Sequence, residues 1–147
     1  NGDGTYTEVS ASSGKYFSDK YVGRGTAFGD YDNDGDIDLL ILNCNQRVIL
    51  LRNDGGNANN WLAVKLIGTR SNRDGIGARI RLTTEGETRI AEIQSTASYL
   101  SANDLRVIFG LGRKKVVDKI EVHWPSGTKQ TLKGIKANQL IKITEKI

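Results

Sequence analysis

Five carboxylates, Asp30, Asp32, Asp34, Asp36 and Asp38, stand at alternate positions within nine residues. At neutral pH such a crowd of like charges repels itself and resists ordering unless something cationic joins it. Counting Asp30 as loop position one, acids fall at one, three, five and nine, and Gly35 falls at six. This is the spacing of an oxygen cage for a hard divalent cation. Alternate side chains converge on one point, a backbone carbonyl near position seven adds a ligand, and the glycine permits a sharp turn. The plainer reading is a solvated acidic turn with no ion. Turns seldom carry so many carboxylates in register, which favours the cage.

An EF-hand loop reads D-x-[DN]-x-[DN]-G-x5-E. Asp30, Asp32, Asp34 and Gly35 fit it, but the twelfth position is Ile41, which cannot coordinate. The residues after the acids, Leu39-Leu40-Ile41-Leu42, form a short apolar run of strand type. The closing carboxylate is therefore Asp38, and the loop belongs to a β setting rather than to a pair of helices.

Catalytic chemistry has little to stand on. His123 is the sole histidine, so no His-rich metal site can be assembled, and its alternation with Val122 and Trp124 turns it outward. No G-x-S-x-G or comparable nucleophile motif occurs. The paired carboxylates of a glycosidase stand apart across a cleft, not within one loop. Arg113-Lys114-Lys115 could meet an acidic partner, but a solvated turn explains it, and no stacking aromatics accompany it to suggest nucleic acid. Trp61 and Trp124 lie in apolar alternation and read as core. Tyr99, in a polar stretch, is the better candidate for an exposed aromatic. Asn72-Arg73-Asp74 reads as a polar turn before Gly75. Cys44 stands alone, which rules out an internal disulfide; it reads as a small buried hydrophobe.

The elements that must position these groups are β-strands. Seventeen glycines, one proline and many β-branched residues favour strands with frequent turns. Thr5 to Val9 alternates as a strand after an Asn1-Gly2-Asp3-Gly4 turn, and a further short strand is expected near Tyr16-Phe17. Asp38 to Leu42 and Arg47 to Arg52 are strands apolar on both faces, as suits a blade stacked between other layers. Arg52-Asn53-Asp54-Gly55-Gly56-Asn57 echoes the opening turn, so residues 1–9 read as the outer strand of one repeat and 26–57 as the next. From Trp61 onward about seven alternating strands with no convincing helix predict an antiparallel sandwich or barrel-like domain. Charge divides the same way: residues 1–60 balance to −4 and residues 61–147 to +8 within a net +4. The expected division is 1–58 and 59–147. The chain has no methionine and opens mid-motif, which leads us to expect a piece of a longer protein whose export signal lies elsewhere. No apolar run is long enough to span a membrane.

These residues carry two resemblances. Phe28-Gly29-Asp30 through Asp38-Leu39 resembles an FG-GAP (VCBS-type) repeat, the calcium-binding blade of integrin-like β-propellers. Residues from Asn60 to about Thr144 resemble the ASPIC/UnbV domain of the cartilage acidic protein family. The runs that carry this are Asn60-Trp61-Leu62, Gly68 to Ala78, Phe109-Gly110-Leu111-Gly112 and Trp124-Pro125-Ser126-Gly127. The resemblance implies Ca2+ held by the side chains of Asp30, Asp32, Asp34 and Asp38 and the carbonyl of Asp36. It also implies a protein of the extracellular space or cell envelope. A propeller needs several blades and this chain holds about one, so the blade must dock on the C-terminal domain, pair with another copy or stay loose. The function expected is a non-catalytic, calcium-stabilised binding or adhesion module for an extracellular protein or glycan. A carbohydrate-binding module of a polysaccharide-processing system is the alternative. A third reading is part of a hydrolase whose catalytic groups lie outside this chain.

Overall fold

The computed structural model describes Asn1 and residues 4–146. Among them all extended structure is β, and the only helical pieces are three short 3-10 turns. Among the described residues no helix is long and apolar enough to cross a membrane. Strands β1 (Gly23–Gly29), β2 (Asp38–Asn43) and β3 (Ile49–Leu51) form an antiparallel sheet in the order β1-β2-β3. The acidic stretch is the connection between β1 and β2. Ile41 is buried, while Leu40, Leu42 and Leu50 leave 42%, 44% and 51% of their surface exposed. The two-sided apolar character of these strands is thus real, and one face of the sheet is open.

Seven strands follow: β4 (Asn60–Ile67), β5 (Arg79–Thr84), β6 (Glu87–Glu92), β7 (Val107–Gly112), β8 (Val116–His123), β9 (Lys129–Lys136) and β10 (Gln139–Thr144). They make two sheets, β10-β4-β7 and β6-β5-β8-β9. Alternation decides which side chains meet between them. Leu62, Val64 and Leu66 of β4 join Ile80 and Leu82 of β5 and Ile120 and Val122 of β8 in one buried cluster. Each such side chain contributes roughly 1.5–3 kcal/mol by leaving water. Trp124 closes the cluster.

Several expectations need correction. Residues 5–9 form no strand, and Tyr6 is almost fully exposed. Alternation makes a strand only beside a partner edge; this segment is held locally instead, by Asn1 bonding Thr5 and Thr7. Gly2 and Asp3 of the proposed opening turn lie outside the described residues. Tyr16-Phe17 belongs to a 3-10 turn, Lys15–Ser18, in which Tyr16 stacks on Tyr21. Cys44 is exposed, because it sits in the β2–β3 turn rather than at the end of the apolar run. The sandwich is not purely antiparallel: β10 pairs β4 in parallel. The chain leaves β9 at the edge of one sheet, turns at Ala137-Asn138 and enters the other, which sets its direction beside β4.

Glu145, just past β10, is 2% exposed. Its Oε2 accepts the backbone N–H of Thr69, Arg70 and Ser71 at 2.9, 2.9 and 2.7 Å. Its Oε1 accepts the hydroxyls of Ser71 and Ser126. Burial, the largest single influence, favours the neutral acid. The donors of Ser126, Ser71, Thr69 and Arg70 together outweigh it and bring the carboxyl from 4.5 down to about 2. A carboxyl whose folded value lies below its unfolded value stabilises the fold above the unfolded value, and this is lost as pH falls through the folded one. Urea midpoints of the parent are therefore expected to fall between pH 4.5 and about 2. Glu145→Gln should be the less stable protein at pH 7, with its deficit shrinking toward pH 2. A deficit that stays constant with pH would contradict this role.

Candidate metal centre

The β1–β2 connection begins at Asp30, where β1 has ended, and closes at Asp38, the first residue of β2. Gly29 and Asp38 are paired across the sheet, so the two ends of the loop are clamped together. The chain between must reverse within a few residues. Asn33 and Gly35 take positive φ angles of 63° and 97° to do so. One oxygen each from Asp30, Asp32 and Asp38 then falls within 4.8 Å of the others. Two oxygens sharing a Ca2+ at 2.3–2.6 Å can stand at most about 5.2 Å apart, so the spacing suits one ion.

Asp30 and Asp38 are each 2% exposed. Their burial is tolerable because backbone amides meet them. Asp34 and Gly35 donate to the two oxygens of Asp30 at 3.0 and 3.1 Å. Tyr31 and Asn53 donate to those of Asp38 at 3.1 and 2.9 Å. An ionised carboxylate has about four acceptor sites, so each retains capacity for a cation. Asp32 is exposed, yet desolvation first and then the charges of Asp34, Asp38 and Asp30 push its carboxyl up. A divalent ion would relieve that repulsion.

Asp34 and Asp36 are also engaged by the chain that follows the first sheet. Asp34 accepts the Asp36 amide at 3.1 Å and the Asn57 side chain at 3.0 Å, which ties the loop to the chain leading into β4. Asp36 is 4% exposed; its Oδ2 accepts the Gly56 amide at 3.0 Å, and its Oδ1 is buried without a hydrogen-bond partner among the described residues. Burial, then Asp34, raises its carboxyl as well. A buried carboxylate oxygen with no donor is costly unless a proton or a cation meets it.

Beneath the loop lies Trp61, the second residue of β4. A Cβ on Gly35 would overlap Cε2 and Nε1 of its ring. Trp61 is thus not in the sandwich core, as its alternation suggested. It packs where the acidic loop meets the C-terminal domain, and its backbone N–H donates to Asn138 at 3.0 Å. Trp124 occupies the core as expected. Tyr99 is 68% exposed. Lys114 reaches Glu87 at 2.7 Å, an ordinary surface pair, and Asn72 holds both the N–H and the carbonyl of Ile76 as a turn residue.

Residues 68–147 match the family model described as ASPIC and UnbV. The chain belongs to the ASPIC and UnbV family. It is similar to cartilage acidic protein 1 of Mus musculus, at 30% identity over 129 residues, which cover 84% of this chain and 20% of the mouse protein. The Homo sapiens protein of that name is likewise 30% identical over 129 residues, 84% of this chain and 19% of its own length. The chain therefore spans about a fifth of the length of the curated relatives it matches.

The acidic loop lies outside the span matched to the ASPIC and UnbV family, but a segment within that span reaches it. Asp104 donates its N–H to the Phe28 carbonyl at 3.0 Å, and the Phe28 N–H donates to Asn103 at 3.1 Å. Arg106 then extends its guanidinium to the loop, donating to the Asn33 side chain at 2.6 Å and to the Asp30 carbonyl. The first sheet therefore docks on the ASPIC and UnbV domain, one of the three outcomes open from the sequence. Nothing in the sequence marks Arg106, because Leu105 to Phe109 reads as one alternating strand, whereas β7 begins only at Val107.

Proposed function

We propose that this chain is a non-catalytic, calcium-stabilised binding or adhesion module of the extracellular space, and part of a larger repeat protein. The observation that carries it is the convergence of Asp30, Asp32 and Asp38 on a volume fit for one Ca2+. Residues 26–57 act as a blade of FG-GAP (VCBS) type. The open apolar face formed by Leu40, Leu42 and Leu50 suits stacking against a neighbouring blade, since repeat units bury their faces only against one another. The small share of the curated relatives that this chain spans supports a larger whole. Calcium sites of extracellular modules work at roughly 0.1–1 mM, a range consistent with a cage that includes an exposed acid.

Metal removal tests this reading. An ion that binds only the folded loop adds about 2.7 kcal/mol at a hundredfold excess over Kd. For a chain of this size that corresponds to a rise in Tm of roughly 5–10 °C. Chelator-treated protein should melt lower than protein in excess calcium by about this amount, with magnesium a weaker substitute because it demands a smaller octahedral cage. Identical melting in chelator and in calcium would remove the calcium part of the proposal.

A further inference from the structure

We infer that Arg106 is a positioning residue of the cation site, so that docking of the 103–106 segment and binding of the ion stabilise one another. This rests on the calcium reading above. Four observations lead to it. The guanidinium, whose side chain is 18% exposed, bonds the loop at two separated points, the Asp30 carbonyl and the Asn33 side chain. Asn33 is the non-glycine residue at positive φ on which the reversal turns. The Asp104 backbone pairs with Phe28, two residues before Asp30. Gly29, between them, lies so close that an added Cβ would meet Asp104 Cβ at 2.8 Å. The segment thus replaces the missing neighbour on the free edge of β1 and holds the start of the loop in place.

A cationic side chain beside a cation site calls for explanation, since a bare guanidinium would repel the ion. Arg106 is not bare. It pairs with Asp104 at 2.5 Å, and the pair carries no net charge toward the loop. What remains is geometry: the fork fixes Asp30 and Asn33 relative to one another. Because coupling between two equilibria is reciprocal, whatever the docked segment adds to ion affinity the ion returns to docking.

The test compares the parent with Arg106→Met, Arg106→Lys and Asn33→Gly by calorimetric titration with CaCl2 and by amide exchange. Arg106→Met keeps the stem and loses the fork, and should bind about tenfold more weakly. Arg106→Lys cannot bridge three acceptors and should lie between. Asn33→Gly keeps the positive φ and removes one acceptor; it should bind about threefold more weakly, and it decides the matter if Arg106→Met does not fold. Calcium should also slow exchange of the Asp104 amide in the parent and do so less in Arg106→Met. A merely structural arginine would lower the metal-free melting temperature and leave both readouts unmoved. Parent-like calcium affinity in the variants would overturn the inference while leaving the metal site standing. A parent that takes up no calcium would end both.

Discussion

Asp38→Asn is expected to weaken calcium binding roughly a hundredfold, the scale on which ligand charge tunes such loops. Asp38 is one of the three converging acids and is almost fully buried. It also ties the start of the loop to the chain beyond β3, accepting the Tyr31 amide on one oxygen and the Asn53 amide on the other. Asparagine offers one acceptor oxygen, so its NH2 would face one of those two N–H groups. A buried donor left without an acceptor costs about 1–3 kcal/mol, so the metal-free protein should lose stability too. Titration and melting therefore both read the change. Asp54→Asn is the control: that acid pairs with Arg52 at the surface and should leave the affinity unchanged. Equal losses in the two variants would mean that bulk negative charge, not the cage, governs binding.

Gly35→Ala should have an effect of similar size through a different route. The φ of 97° is a conformation that side-chain-bearing residues rarely adopt, a strain of about 1–2 kcal/mol in left-handed backbone. The added methyl would also enter the Trp61 ring, and overpacking of a close contact costs typically about 1–3 kcal/mol. The loop cannot relieve this by a small shift, because the Gly35 amide is bonded to Asp30 and the loop is tied to Asn57. Relief means lifting the loop off β4, which pulls apart the triad. The expected result is a lower melting temperature, a red-shifted Trp61 emission and weakened calcium binding together. Loss of stability with intact calcium affinity would show that the seat on Trp61 is not needed for the cage.

The acidic loop was legible because its signal is local. Five acids in alternation with a glycine at the turn need no knowledge of distant residues, and the apolar run after them marks the strand that closes the loop. Most strands of the sandwich were legible for the same reason, since alternation marks them as strands; β9 carries too little of it, and in β6 the alternating Ile90 is left 65% exposed. What escaped is long-range. Arg106 looks like the polar member of an alternating strand, and its partners in the acidic loop lie more than seventy residues away. Glu145 reads as one more solvated charge beside Lys146, although five donors from two distant turns converge on it. Trp61 shares the alternation of β4 but meets Gly35 instead of the core. Residues 5–9 show the opposite failure, a strand pattern with no edge to pair with. In the acid series, spacing alone could not show which further partners Asp34 and Asp36 have. Their side chains are engaged by the 53–57 connection, a segment whose position follows only from the docking of the two parts.

Calcium titration of metal-stripped protein by calorimetry bears most directly on the claim that the β1–β2 connection is an ion cage. Saturable uptake of one Ca2+ per chain is expected, largely lost in Asp38→Asn. A flat titration up to several millimolar, with Asp30 and Asp38 still held by their amide donors alone, would contradict it.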